Sequence, residues 1–121
     1  MSTTTYLIPN NYPEDFCCLS VHLGATDTAI FQNDREVNMV VDSISILPGA
    51  VATVNNSTVR FRIDSASGAE VAAHDVPDSA SDGSETYKVA RILKPGETLF
   101  YQGDAAVTAL TVQLRIRSRV A

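Results

Sequence analysis

The 121-residue chain has no tryptophan, two cysteines, two histidines and nine basic residues against 14 acidic ones, and each shortage removes a class of function. With no tryptophan and only four tyrosines and four phenylalanines, there is little aromatic surface on which sugars or bases could stack. The histidines, His22 and His74, each lack a second ligand at helix or hairpin spacing, so the sequence presents no zinc or two-histidine site. No Gly-x-Ser-x-Gly elbow, phosphate loop or dinucleotide fingerprint occurs, and neither Cys17 nor Cys18 has an evident base. A non-enzymatic chain without catalytic residues, metal or cofactor is therefore expected. A net charge of −5 supplies no phosphate-neutralising surplus, and no apolar run approaches the roughly 18 residues of a spanning helix, so neither nucleic acid nor membrane is an expected partner.

Cys17 and Cys18 are adjacent, where a mutual bond would close a strained ring, and both are expected to be reduced. The first residues, Met1-Ser2-Thr3-Thr4-Thr5-Tyr6-Leu7-Ile8-Pro9, carry neither a basic n-region nor an apolar h-region, which predicts synthesis and folding in a cytoplasm. The sequons beginning at Asn55 and Asn56 then read as a turn.

The 45% hydrophobic content is arranged with period two. In Thr58-Val59-Arg60-Phe61-Arg62-Ile63 the apolar side chains share one face and the arginines the other. The C-terminal segment repeats this: Leu110, Val112, Leu114 and Ile116 alternate with Thr111, Gln113, Arg115 and Arg117. Further strands are predicted at 16–23, 29–32, 36–47, 70–76, 87–93 and 98–102, with a bulge or doubly covered stretch around Met39-Val40-Val41. Turn signals separate them: Asn33-Asp34, Pro48-Gly49, Asn55-Asn56, Ser67-Gly68, Pro95-Gly96 and Gly103-Asp104. About seven or eight short strands without crossover helices predict an all-β, antiparallel β-sandwich, jelly-roll or Ig-like, spanning 16–121. Residues 1–15, with Pro9 and Pro13 and the apolar group Tyr6, Leu7 and Ile8, read as an extended N-terminal arm suited to a neighbouring subunit.

Five of the seven arginines fall in two stretches, Arg60 and Arg62, then Arg115, Arg117 and Arg119. If the two strands share a sheet, their guanidinium groups form a basic patch fitted to carboxylates on a partner. The acidic stretch 75–85 fails as an EF-hand: registered on Gly83, it places Ala80 at a ligand position and Val89 at the bidentate glutamate. It reads as a solvated turn on a rigid scaffold.

The short Thr28-Ala29-Ile30-Phe31 segment, the long strand ending Ile44-Ser45-Ile46-Leu47-Pro48-Gly49, and the asparagine turn into Val59-Arg60-Phe61-Arg62-Ile63 resemble the small β-sandwich accessory proteins of tailed bacteriophage virions. The ending is similar as well: Lys94-Pro95-Gly96-Glu97, then Gly103-Asp104, then a final alternating strand. The resemblance covers roughly residues 26–119 and rests on turn chemistry that many sandwiches share. It implies a capsid decoration (cement) protein, or a head, neck or tail accessory, localised to the virion and assembled in the bacterial cytoplasm. Its partners would be the major capsid protein or other virion subunits, with homo-oligomers expected. The partner-binding candidates are Arg60, Arg62, Arg115, Arg117 and Arg119 with Tyr6, Leu7 and Ile8 of the arm. The alternative is a ligand-binding sandwich, a carbohydrate- or receptor-binding fibre tip, which would gather Tyr12, Tyr87 and Tyr101 on one exposed face. A small enzyme would instead need a pocket uniting His22 or His74 with Asp75.

Overall fold

A computed structural model describes residues 16–78 and 84–118. Among them there are strands and no helix: β1 (Phe16–Leu23), β2 (Thr28–Gln32), β3 (Met39–Ile46), β4 (Val51–Ala52), β5 (Ser57–Ile63), β6 (Glu70–Val76), β7 (Glu85–Leu93), β8 (Thr98–Gln102) and β9 (Val107–Ser118). They form two antiparallel sheets, one in the order β1-β9-β3-β7 with β4 added on β9, the other in the order β2-β8-β5-β6. The pairs β1·β9, β2·β8, β3·β7 and β5·β6 nest as one long hairpin that has been rolled up, while β3·β9 and β5·β8 complete the sheets. That winding is the jelly-roll form of the β-sandwich.

The alternation read from the sequence sets the two inner faces. Val59, Phe61 and Ile63 of β5 and Leu110, Val112, Leu114 and Ile116 of β9 are all buried in one cluster. Phe61 meets Tyr101 with ring centroids 5.6 Å apart and planes tilted by 54°. Each such large side chain contributes about 1.5–3 kcal/mol by leaving water. In β3, Met39, Val40 and Val41 are all buried, and the register slips between Val41 and Ser43, so the expected bulge and the expected coverage both occur close to where the alternation breaks.

Several strand ends differ from the sequence reading, most of all in β3, and one strand is new. The strand expected over 36–47 begins only at Met39 because Asn33, a turn signal in sequence, is fully buried. Its Nδ2 donates to the carbonyls of Val37 at 2.9 Å and Leu93 at 2.8 Å, folding 33–38 into a loop. Its backbone exchanges hydrogen bonds with Gly96 and Glu97 of the facing turn. The two-residue β4 was not anticipated; it pairs Val51 with Ala109 and Ala52 with Val107.

Connections gather at the two ends of the sandwich. At one end Ala52 N donates to Pro77 O at 2.8 Å, Thr53 N to Ala106 O at 2.7 Å and Gly103 N to Asp27 Oδ1 at 2.9 Å. The connections after β1, β3, β6 and β8 are thereby brought together. A side chain at Gly103 would stand 2.5 Å from the Ala25 carbonyl, so this junction requires glycine. The turns after β2, β5 and β7 lie at the opposite end, where Thr98 N donates to Asp64 Oδ1.

Candidate interaction surface

The two arginine-bearing strands belong to different sheets, β5 to one and β9 to the other. Since both send their apolar side chains into the common core, their arginines emerge on opposite outer faces, and the single four-arginine patch does not form. The cause is topological: rolling the hairpin sends the β5·β6 pair to one layer and the β9 strand to the other. Arg119, Tyr6, Leu7 and Ile8 lie outside the described residues.

On the outer face of β2-β8-β5-β6 the charges are consumed locally. Arg60 Nε donates to Glu70 Oε1 at 2.9 Å. Arg62 donates from Nε to Gln102 Oε1 at 2.8 Å and from Nη1 to the Gly68 carbonyl at 2.9 Å. Thr58 Oγ1 donates to Asp75 Oδ1 at 2.6 Å. Two cations thus face two carboxylates, Glu70 and Asp75, and the long side chains are held down along the sheet.

The outer face of β1-β9-β3-β7 is organised differently. Register places Ser20, Gln113, Ser45 and Thr86 in one row across all four strands, and Arg115, Ser43 and Lys88 in the next. Ser45 Oγ and Thr86 Oγ1 are 2.9 Å apart, and His22 Nδ1 lies 3.0 Å from Thr111 Oγ1. Only Arg117 has a carboxylate, donating from Nε to Asp42 Oδ2 at 2.8 Å. Among the described residues Arg115 and Lys88, both exposed, make no side-chain hydrogen bond or ion pair. Beside Arg115 a shallow groove, partly open to solvent, is lined by Ser43, Ser45, Gln113, Leu114 and Arg115, and Lys88 stands in the same row on the other side of Ser43. Short hydroxyl side chains in the middle of the sheet leave the depression, with Arg115 at its edge. Lys88 is the residue that the sequence reading passed over, since only its register opposite Ser43 brings it beside Arg115.

The remaining candidates are accounted for by packing. His74 is buried against the β6–β7 edge, its Nδ1 2.8 Å from the Tyr87 hydroxyl and 3.4 Å from Glu85 Oε2. Asp75 follows it on β6 but points to the outer face toward Thr58, so the two do not share a pocket. Tyr101 is fully buried and donates its hydroxyl to the Gly24 carbonyl at 2.7 Å, while Tyr87 packs against the core edge, so these two tyrosines do not form an exposed platform. Tyr12 lies outside the described residues. Burial, aided by the neighbouring carboxylates of Asp104 and Asp27, pushes the Tyr101 phenol well above its ordinary value. Of the stretch 75–85, Asp75 and Glu85 are strand residues, and 79–83 are outside the described residues. Among the described residues no three His, Cys, Asp or Glu side chains converge to hold a metal ion. Among the described residues no helix is long and apolar enough to cross a membrane.

Comparison with protein-family models, with curated proteins and with solved structures finds no match.

Proposed function

We propose that this chain is a non-enzymatic structural protein of a tailed-phage virion, a capsid decoration (cement) protein that docks on acidic surfaces of neighbouring virion subunits. The observation that carries this reading is the row of Arg115, Ser43 and Lys88 on the β1-β9-β3-β7 face, with Arg115 lining a hydroxyl-bearing groove and neither cation paired with a carboxylate among the described residues. Guanidinium and ammonium groups without carboxylates of their own are available to a partner's carboxylates, and their attraction speeds encounter and fixes orientation. The jelly roll supports the reading only as an architecture that viral capsid subunits share with lectins, because a fold does not by itself assign a function. The resemblance over residues 26–119 supports it from the sequence side. In this reading the β5 arginines are structural, and Arg115 with Lys88 makes the contact.

The deciding measurement is quantitative mass spectrometry of gradient-purified particles of the phage that encodes the chain. Near-stoichiometric copies relative to the major capsid protein are expected; a few to a dozen copies would move the protein to neck, tail or fibre, and absence would remove it from the virion. Arg115→Gln with Lys88→Gln should weaken attachment in a salt-dependent way and leave the fold intact. The arm is tested separately. Deleting residues 2–12 leaves every described strand in place, since β1 begins at Phe16, and should reduce assembly without unfolding the domain.

A further inference from the structure

The only large hydrophobic side chains that stand exposed among the described residues are Val37 and Val54, and Val54 is the more exposed at 60%. It sits at the tip of the tight 53–56 turn. Asn56 adopts the left-handed conformation with φ 60°, and the buried Ser57 donates its hydroxyl to the Val54 carbonyl at 2.7 Å. The tip is fixed on both flanks, because Ala52 N bonds Pro77 O and Thr53 N bonds Ala106 O. Val54 is therefore a preorganised apolar knob between Asp78 on one side and the Asp104 turn on the other.

The chemistry of this end is one-sided. The described residues of this end, 24–27, 47–56, 77–78 and 103–106, include no lysine or arginine, and Asp27, Asp78 and Asp104 are their acids. Asp27 and Asp104 each spend one carboxylate oxygen on a backbone amide, of Gly103 and Ala106, and keep the other. The molecule thus presents two unlike surfaces: a convex tip with an acidic fringe, and a shallow groove with Arg115 at its edge and Lys88 in the same row.

We infer that the acidic surface taken up by the β1-β9-β3-β7 groove belongs to a second copy of this chain, whose Val54 tip seats between Arg115 and Lys88 in an end-to-face contact. This rests on the reading of that face as a docking surface and names the partner. Although copies carrying −5 repel one another at a distance, the end-to-face orientation brings opposite charges together. The rigid tip lowers the ordering cost of association. Because the two surfaces differ, the contact is heterologous: a pair so joined leaves one tip and one groove open, so association continues to rings or filaments rather than stopping at two.

Sedimentation velocity and light scattering of the full chain at rising concentration test this. Concentration-dependent species beyond the dimer are expected, dissociating as salt rises from about 0.05 M to about 0.5 M. Val54→Ser should raise the dissociation constant about tenfold. Arg115→Glu with Lys88→Glu, and separately Asn55→Lys with Asp78→Lys, should each be monomeric with unchanged circular dichroism, and an equimolar mixture of the two should reassociate. A wild-type chain that stays monomeric, a dimer that does not extend, or a mixture that stays dissociated overturns the inference. A chain monomeric in solution yet attached to particles removes the self-contact and leaves the docking reading in place. Self-association by a chain missing from particles does the reverse.

Discussion

The two outer faces of this sandwich carry the same kind of arginine pattern and use it in opposite ways. On the β2-β8-β5-β6 face, Arg60 and Arg62 are bound by Glu70, Gln102 and the Gly68 carbonyl, so their charge and their hydrogen-bonding capacity are spent inside the molecule. On the β1-β9-β3-β7 face, Arg117 has Asp42, but Arg115 lines a groove with Ser43 and Ser45, and Lys88 stands across Ser43 from it. An alternating strand with outward arginines is thus ambiguous until its cross-strand neighbours are known. Carboxylate and amide neighbours make the arginine a strap over the sheet; serine and threonine neighbours leave it for a partner.

The contrast can be broken from below, where both faces share one core. Phe61→Ala, beneath the β5 arginines and against Tyr101, should cost about 3–5 kcal/mol in chemical denaturation. If the two layers are one cooperative unit, near- and far-ultraviolet signals should still melt together. A β9 face that persisted after the β5 layer had melted would separate the faces energetically.

The next effect distinguishes the arginines themselves. Arg62→Ala removes two charge-assisted hydrogen bonds from a half-buried side chain and should lower stability by about 1–2 kcal/mol. Arg60, whose side chain is 39% exposed in its pair with Glu70, should cost at most about 1 kcal/mol. Neither change should alter attachment to a partner.

Tyr101 tests how the two layers are tied. Its raised phenol means that the folded state holds the proton at a pH where the unfolded chain has lost it, so stability is undiminished below the ordinary value near 10 and falls as pH rises beyond it. Alkaline titration of the melting temperature should show this fall, and Tyr101→Phe should abolish it at a cost of about 1 kcal/mol for the lost bond to Gly24. An identical alkaline profile in the variant would assign the fall to another group.

The smallest effect on stability is the one that matters most for function. Arg115→Gln should move the unfolding free energy by less than about 0.5 kcal/mol, since it makes no described contact, while weakening attachment at low salt. A clear loss of stability would place Arg115 among the straps and dissolve the contrast between the faces.

Much of this was legible in the residues. The alternation in 58–63 and 110–116 specified which side chains face the core, and the turn residues located six of the loops, because strand period and turn chemistry are local properties of the chain. Asn33 shows where that legibility stops. Its sequence context is that of a surface turn, yet burial with two carbonyl partners makes it the anchor that shortens β3. His74, inward beside Tyr87, and Lys88, outward beside Ser43, likewise take their roles from cross-strand register.

What the sequence by itself determined was an all-β chain with two arginine-bearing strands, each with its apolar face buried. Tertiary structure alone decided that those strands lie in different layers, that Arg60, Arg62 and Arg117 are held by partners within the molecule while Arg115 is not, and that Lys88 shares a row with Arg115. The physical reason is that facing is a nearest-neighbour property with period two, whereas sheet membership depends on pairing between segments far apart in the chain, such as β3 with β9, which no local pattern encodes.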